Sequence, residues 1–126
     1  MSLRTPLSRA RGLGSAKEGA SHWWMQRLTA IALVPLALWF AFVVASLGGA
    51  DYETVVAWLR SPAVTVLLVI LIAVTFYHLQ LGVQVILEDY VQSGWLKITG
   101  IVLVNFGCIL LAVIGIVALL TIALGV

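Results

Sequence analysis

The chain has 126 residues, 63% of them hydrophobic and only 10% charged, with a formal net charge of +2. Together with a mean hydropathy of +1.15, that composition excludes an ordinary soluble domain and defines one small integral membrane protein. A sequence pI of about 9.0 does not indicate a nucleic-acid partner, because Arg4, Arg9, Arg11 and Lys17, four of the seven basic residues, cluster at the N-terminus, and a basic tail beside a membrane span is a topology signal.

Residues 1–20, rich in Gly, Ser, Arg and Lys, read as a solvated tail, and residues 21–126 as the anchor domain. The apolar run Leu28–Leu47 is too long and too far from the start for a signal-peptide core, so a retained first span over about 22–48 is expected, kinked at Pro35. Gly48-Gly49-Ala50-Asp51 should end it. Tyr52 to Arg60 then reads as a short amphipathic surface piece with Val55, Val56 and Trp58 toward lipid.

The second span, about 61–90, contains the uncharged run Ser61–Leu87 and places Pro62 in its first turn, where the missing N–H costs nothing. Gln92-Ser93-Gly94 is a tight turn, with Trp95 at the interface and Lys97 beyond it. The third span, about 96–125, contains the uncharged Ile98–Val126; its Gly100, Gly107 and Gly115 permit close helix packing. Asn105 either bonds across helices or is satisfied locally, and Cys108, the only cysteine, reads as a packing residue and excludes an intrachain disulfide. Each span suffices for roughly 30 Å of hydrocarbon. The fold class is therefore an all-α membrane protein with three transmembrane helices. The basic tail puts the N-terminus in the cytoplasm, the C-terminus on the opposite side, and Asp89, Tyr90 and Arg27 at the cytoplasmic edge.

His78 is the only imidazole within the spans' apolar depth, and ionisable groups there are costly and usually functional. Steps of four, three and four residues bring His78, Gly82, Val85 and Asp89 into one band of the second helix, with about 16 Å along the axis from His78 to Asp89. A neutral imidazole there can ligate haem iron axially, and Gly82 one turn away clears space for a flat macrocycle. The plain alternative is that His78 only bonds to a neighbouring helix. His22 lies too far from mid-membrane to be the second axial ligand of the same iron, so that ligand would come from a partner. At the edge, Tyr90 can donate a phenolic hydrogen bond and Asp89 can hold an arginine or relay protons, as quinone reduction requires; an interfacial anchor is the simpler reading of the same cluster. Arg27 can pair with haem propionates or Asp89, or snorkel to lipid phosphate.

The pattern His22-Trp-Trp-Met-Gln-Arg27-Leu-Thr-Ala-Ile-Ala, followed by His78-x3-Gly82-x6-Asp89-Tyr90-Val91, resembles the D-type hydrophobic membrane anchor family of succinate dehydrogenase, respiratory complex II. The resemblance covers nearly the whole chain. It implies half of a heterodimeric, haem-b-binding helix bundle in a bacterial-type inner membrane, with the C-terminus periplasmic. The implied partners are a second anchor of the cytochrome b, C type, an iron–sulfur subunit and a flavoprotein subunit; the implied substrate is ubiquinone, in the tricarboxylic acid cycle and respiratory electron transport. Carried over by residue, His78 matches the haem ligand, Tyr90 the quinone-bonding phenol, Asp89 its polar neighbour and Arg27 the arginine near the propionates. Ser21 or His22 matches a position often polar. Rival readings are the anchor of a fumarate reductase and a non-redox packing or assembly protein. A transporter lacks support, since neither paired intramembrane charges nor an inverted repeat is visible.

Overall fold

The computed structural model describes residues 5–10 and 16–126. Arg4 and Arg11 lie outside the described residues, as do the side chains of Arg9 and Lys17. Five helices follow one another: α1 (Pro6–Ala10), α2 (Ala16–Ser46), α3 (Tyr52–Leu59), α4 (Pro62–Tyr90) and α5 (Gly94–Leu124). Three of them, α2 from Gly19 onward, α4 and α5, are long and apolar enough to cross a membrane. The first of these begins earlier than the sequence reading places it. Ala16, Lys17 and Glu18 are strong helix formers and extend α2 back into the expected tail. At the other end α2 runs unbroken through Pro35, and Gly49, at a φ of 85° that an L side chain resists, turns the chain away after it.

α4 lies between α2 and α5 and packs on both, whereas α2 and α5 do not pack on each other among the described residues. The small amount of buried surface follows from this row-like arrangement: Thr29 on α2, Leu68 and Leu81 on α4, and Cys108 and Leu119 on α5. Large apolar side chains such as Ile31, Leu38, Phe42, Ile98 and Phe106 point outward, as expected where the surrounding solvent is hydrocarbon.

Of the four glycines on α5, Gly100 and Gly115 lie against α4. A Cβ on Gly100 would stand 3.3 Å from Leu87, and one on Gly115 would stand 3.5 Å from Ile72. Gly107 departs from the expectation, with no neighbour within 4 Å of a Cβ. Near this level an apolar groove of about 200 Å³ is lined by residues of both α4 and α5, among them Ala73, Phe76, Cys108 and Ala112.

The surface helix α3 also differs from the expectation that its apolar face meets lipid. It packs on α4 and α5, leaves Val55, Val56 and Trp58 half-buried, and stacks Trp58 near Trp39 of α2, with ring centroids 6.2 Å apart. The cause is polar. Arg60 Nε donates to the Ile122 carbonyl at 3.2 Å, satisfying one of the free acceptors at the α5 C-terminus and placing a cation at the negative end of that helix. At the start of α3, Asp51 caps the helix by accepting from the Thr54 N–H at 2.9 Å.

Thr54, through its side chain and then its backbone, holds the Asp51 carboxyl below its usual range. A lowered value means the cap is fully formed above the ordinary aspartate range and is lost as pH falls through the lowered one. Hydrogen-exchange protection of the α3 amides should therefore drop in acid for the native chain and stay level in Asp51→Asn, which caps without titrating. Gly100→Leu should force Leu87 aside and destabilise the α4–α5 pair by about 1–3 kcal/mol, read as a lower midpoint of denaturant unfolding in detergent.

Candidate functional site

The polar residues that enter the helix packing gather between α2 and α4. His22, Gln26 and Thr29, spaced by four and three, share the face of α2 that meets α4. Thr29 is 6% exposed, the one buried polar residue among those described. Its Oγ1 lies 2.8 Å from His78 Nδ1 on α4, and also 2.8 Å from the Met25 carbonyl and 3.0 Å from that of Gln26. One turn along α4, Gly82 faces the Gln26 amide, whose Nε2 would be 3.6 Å from a Cβ placed there. Gly82 thus lies against the Gln26 side chain of α2 beside the imidazole, with room for ordinary van der Waals contact.

Continuing the antiparallel register carries His22 to about the level of Val85 and Ile86, one turn short of Asp89. Asp89 is exposed and Tyr90 is 80% exposed at the α4 terminus. Arg27 projects from a different side of α2, with its guanidinium 5.3 Å above the Trp23 ring, and Trp23 in turn meets Trp24 edge-on at 5.2 Å. This end of the bundle therefore carries an imidazole, a phenol, a carboxylate and an arginine inside a belt of tryptophans that includes the exposed Trp95. The Arg27–Asp89 pair that the sequence allows does not form among the described residues; Arg27 spends its charge on an aromatic face. Close by, Glu88 accepts from Gln84 Nε2 at 2.8 Å.

Two solvent-shielded atoms on the inner face of α2, His22 Nε2 and Gln26 Oε1, have no hydrogen-bond partner, and neither has Asn105 Oδ1 on α5. Polar atoms left open at membrane depth are expensive, so the inner α2 stripe suits completion by groups from outside this chain. The donor set fits a haem. Hydrogen bonding from the described residues engages His78 only at Nδ1, which leaves Nε2 for an axial bond, and the other end of the site offers cationic and imidazole groups of the kind that carboxylates seek. No group of three or more His, Cys, Asp or Glu able to hold a bare metal ion occurs among the described residues, and one imidazole suffices for one axial position of a macrocycle.

Of the residues singled out from sequence, the structure brings His78 and Gly82 to the α2 interface, ranges His22 on the same stripe, and leaves Asp89, Tyr90 and Arg27 outward. Thr29 and Gln26 were missed as site residues. Their signal was the spacing from His22, which puts three polar residues on one face of an otherwise apolar span.

The fold and this stripe define a multi-pass membrane helix protein with an imidazole held inside its bundle. A family model described as "Succinate dehydrogenase/Fumarate reductase transmembrane subunit" matches residues 1–112. The succinate dehydrogenase hydrophobic membrane anchor subunit of Rickettsia bellii is 36% identical over 116 residues, 92% of this chain and 93% of the relative. The equivalently named subunit of Paracoccus denitrificans is 34% identical over 86% of this chain and 84% of its own length, and the succinate dehydrogenase membrane anchor subunit of Reclinomonas americana is 32% identical over 71% and 77%. No solved structure matches at a significant level. The chain belongs to the succinate dehydrogenase membrane anchor family.

Proposed function

We propose that this chain is one of two membrane anchors of a succinate:ubiquinone oxidoreductase, supplying one axial ligand of a shared haem b and part of the quinone site. The observation that carries the reading is His78, an imidazole at about mid-span whose Nδ1 is held by a buried hydroxyl, in a chain of this family. Succinate is oxidised elsewhere, on a flavoprotein partner, and electrons reach the membrane through an iron–sulfur partner. A second anchor would complete the haem site. The basic N-terminal tail supports a cytoplasmic N-terminus and periplasmic C-terminus in a bacterial-type inner membrane, so the Tyr90 end faces the same side as the soluble partners.

Haem, when bound, supplies a one-electron reservoir within the bilayer. This chain's own work is binding and proton handling. His78 would offer Nε2 to the iron, and Gly82, one turn away, would leave clearance for a flat macrocycle. His22 and Arg27 offer donors to propionates at the cytoplasmic edge. Tyr90 donates its phenolic O–H to a quinone carbonyl, and Asp89 beside it takes protons from surface water, so that a two-electron reduction can be matched by two protons. Both residues are exposed in this chain, as a site shared with other subunits requires. The family description covers fumarate reductases as well, but the relatives named above are all succinate dehydrogenase subunits, which favours the succinate-oxidising direction.

His78→Ala in the assembled complex should remove most of the haem from its reduced-minus-oxidised spectrum; full haem content in that variant rejects the ligand assignment. Tyr90→Phe should lower quinone reductase activity by at least tenfold, about 1.4 kcal/mol of transition-state stabilisation, while succinate oxidation by a soluble artificial acceptor continues. Equal loss of both activities identifies a structural role for the phenol instead.

A further inference from the structure

Given the haem-ligand reading above, on which this inference rests, we infer that Thr29 is a positioning residue that fixes the His78 tautomer, keeping the proton on Nδ1 and presenting Nε2 to the iron. Three atoms surround the Thr29 hydroxyl oxygen within hydrogen-bond distance: the Met25 carbonyl at 2.8 Å, the Gln26 carbonyl at 3.0 Å and His78 Nδ1 at 2.8 Å. A hydroxyl has one proton to give and two lone pairs to receive with. Both carbonyls can only accept. If the hydroxyl proton turned toward His78, the two carbonyl oxygens would face a bare hydroxyl oxygen at 2.8 and 3.0 Å with no hydrogen between them. Little water can reach this place to relieve that repulsion, because Thr29 is 6% exposed, and low dielectric strengthens it.

The arrangement without that conflict has the hydroxyl donating back into its own helix, a habit of threonine at carbonyls three and four residues earlier. Its lone pair then receives a proton from the ring, so Nδ1 carries the hydrogen and Nε2 carries the lone pair. The β-branched side chain adds stiffness, since χ1 of threonine has few choices in a helix. An acceptor on the non-ligating nitrogen also raises the basicity of the ligating one. A more basic imidazole stabilises the oxidised iron over the reduced, so the Thr29 bond holds the haem potential down. His22, the other imidazole, has no such partner: its Nε2 is shielded and unbonded.

The test compares Thr29→Val, which keeps the shape and removes the hydroxyl, with Thr29→Ser, which keeps the hydroxyl, in the intact detergent-purified complex. Haem content, redox midpoint and low-temperature electron paramagnetic resonance of the oxidised haem are recorded alongside activity. In Thr29→Val the midpoint should rise and the haem g-values should shift, or haem should be lost from an otherwise assembled complex; Thr29→Ser should restore both toward the native values. A Thr29→Val complex with native haem content, midpoint and g-values overturns the inference and leaves the haem-ligand reading standing. So does a Thr29→Ser complex as altered as Thr29→Val, because the hydroxyl would then be irrelevant. If Thr29→Val fails to accumulate, Thr29→Cys decides: its size is close to native and its sulfur is a poor acceptor, so an unchanged midpoint again overturns the inference. A native complex without haem, or His78→Ala with full haem, overturns the ligand reading itself.

Discussion

A polar group in hydrocarbon has no water to turn to, and each must find its partner inside protein. For this chain that constraint acts most strongly on one pair of atoms, Thr29 Oγ1 and His78 Nδ1, 2.8 Å apart across the α2–α4 contact. The bond does two jobs through one contact. It relieves half of the cost of an imidazole at membrane depth, and it sets the register in which α2 meets α4. With Thr29 opposite His78, Gln26 comes to rest over Gly82 and His22 is carried toward the end of the bundle where Asp89 and Tyr90 emerge. The site is thus a consequence of register as much as of composition.

The two ends of the molecule are organised differently. At the far end Arg60 is tied to the Ile122 carbonyl and Trp58 lies near Trp39, so the connection between the first two spans is folded onto the helix ends. At the other end Tyr90, Trp95 and Arg27 remain open. On the proposed reading, the open end is where partner subunits would complete the site. The shielded but unpartnered atoms of His22 and Gln26 belong to the unfinished part.

Much of the fold was legible in the sequence because hydrocarbon imposes a length and a composition that few other environments do. The uncharged runs, Pro62 at the start of α4 and the Gln92-Ser93-Gly94 turn located the three spans closely. The start of α2 was not legible, because Ala16, Lys17 and Glu18 favour helix while looking like tail. The placement of α3 depended on Arg60 reaching a carbonyl 62 residues away, and the open space beside Gly107 on how two long helices pack; neither is a local property. His78 stood out by rarity. Its partner did not, since a single threonine in an apolar span usually bonds to its own backbone, and Thr29 does that as well.

The central position of α4 has a further effect. Because α5 touches α4 and α3 but, among the described residues, not α2, a substitution on its outward side reaches the imidazole only through the middle helix. That shelters the α2–α4 polar contact from substitutions on the outward side of the 31-residue α5. Outer α5 residues such as Phe106 and Val117 can therefore follow changes in bilayer thickness or lipid type while the Thr29–His78 contact stays as it is.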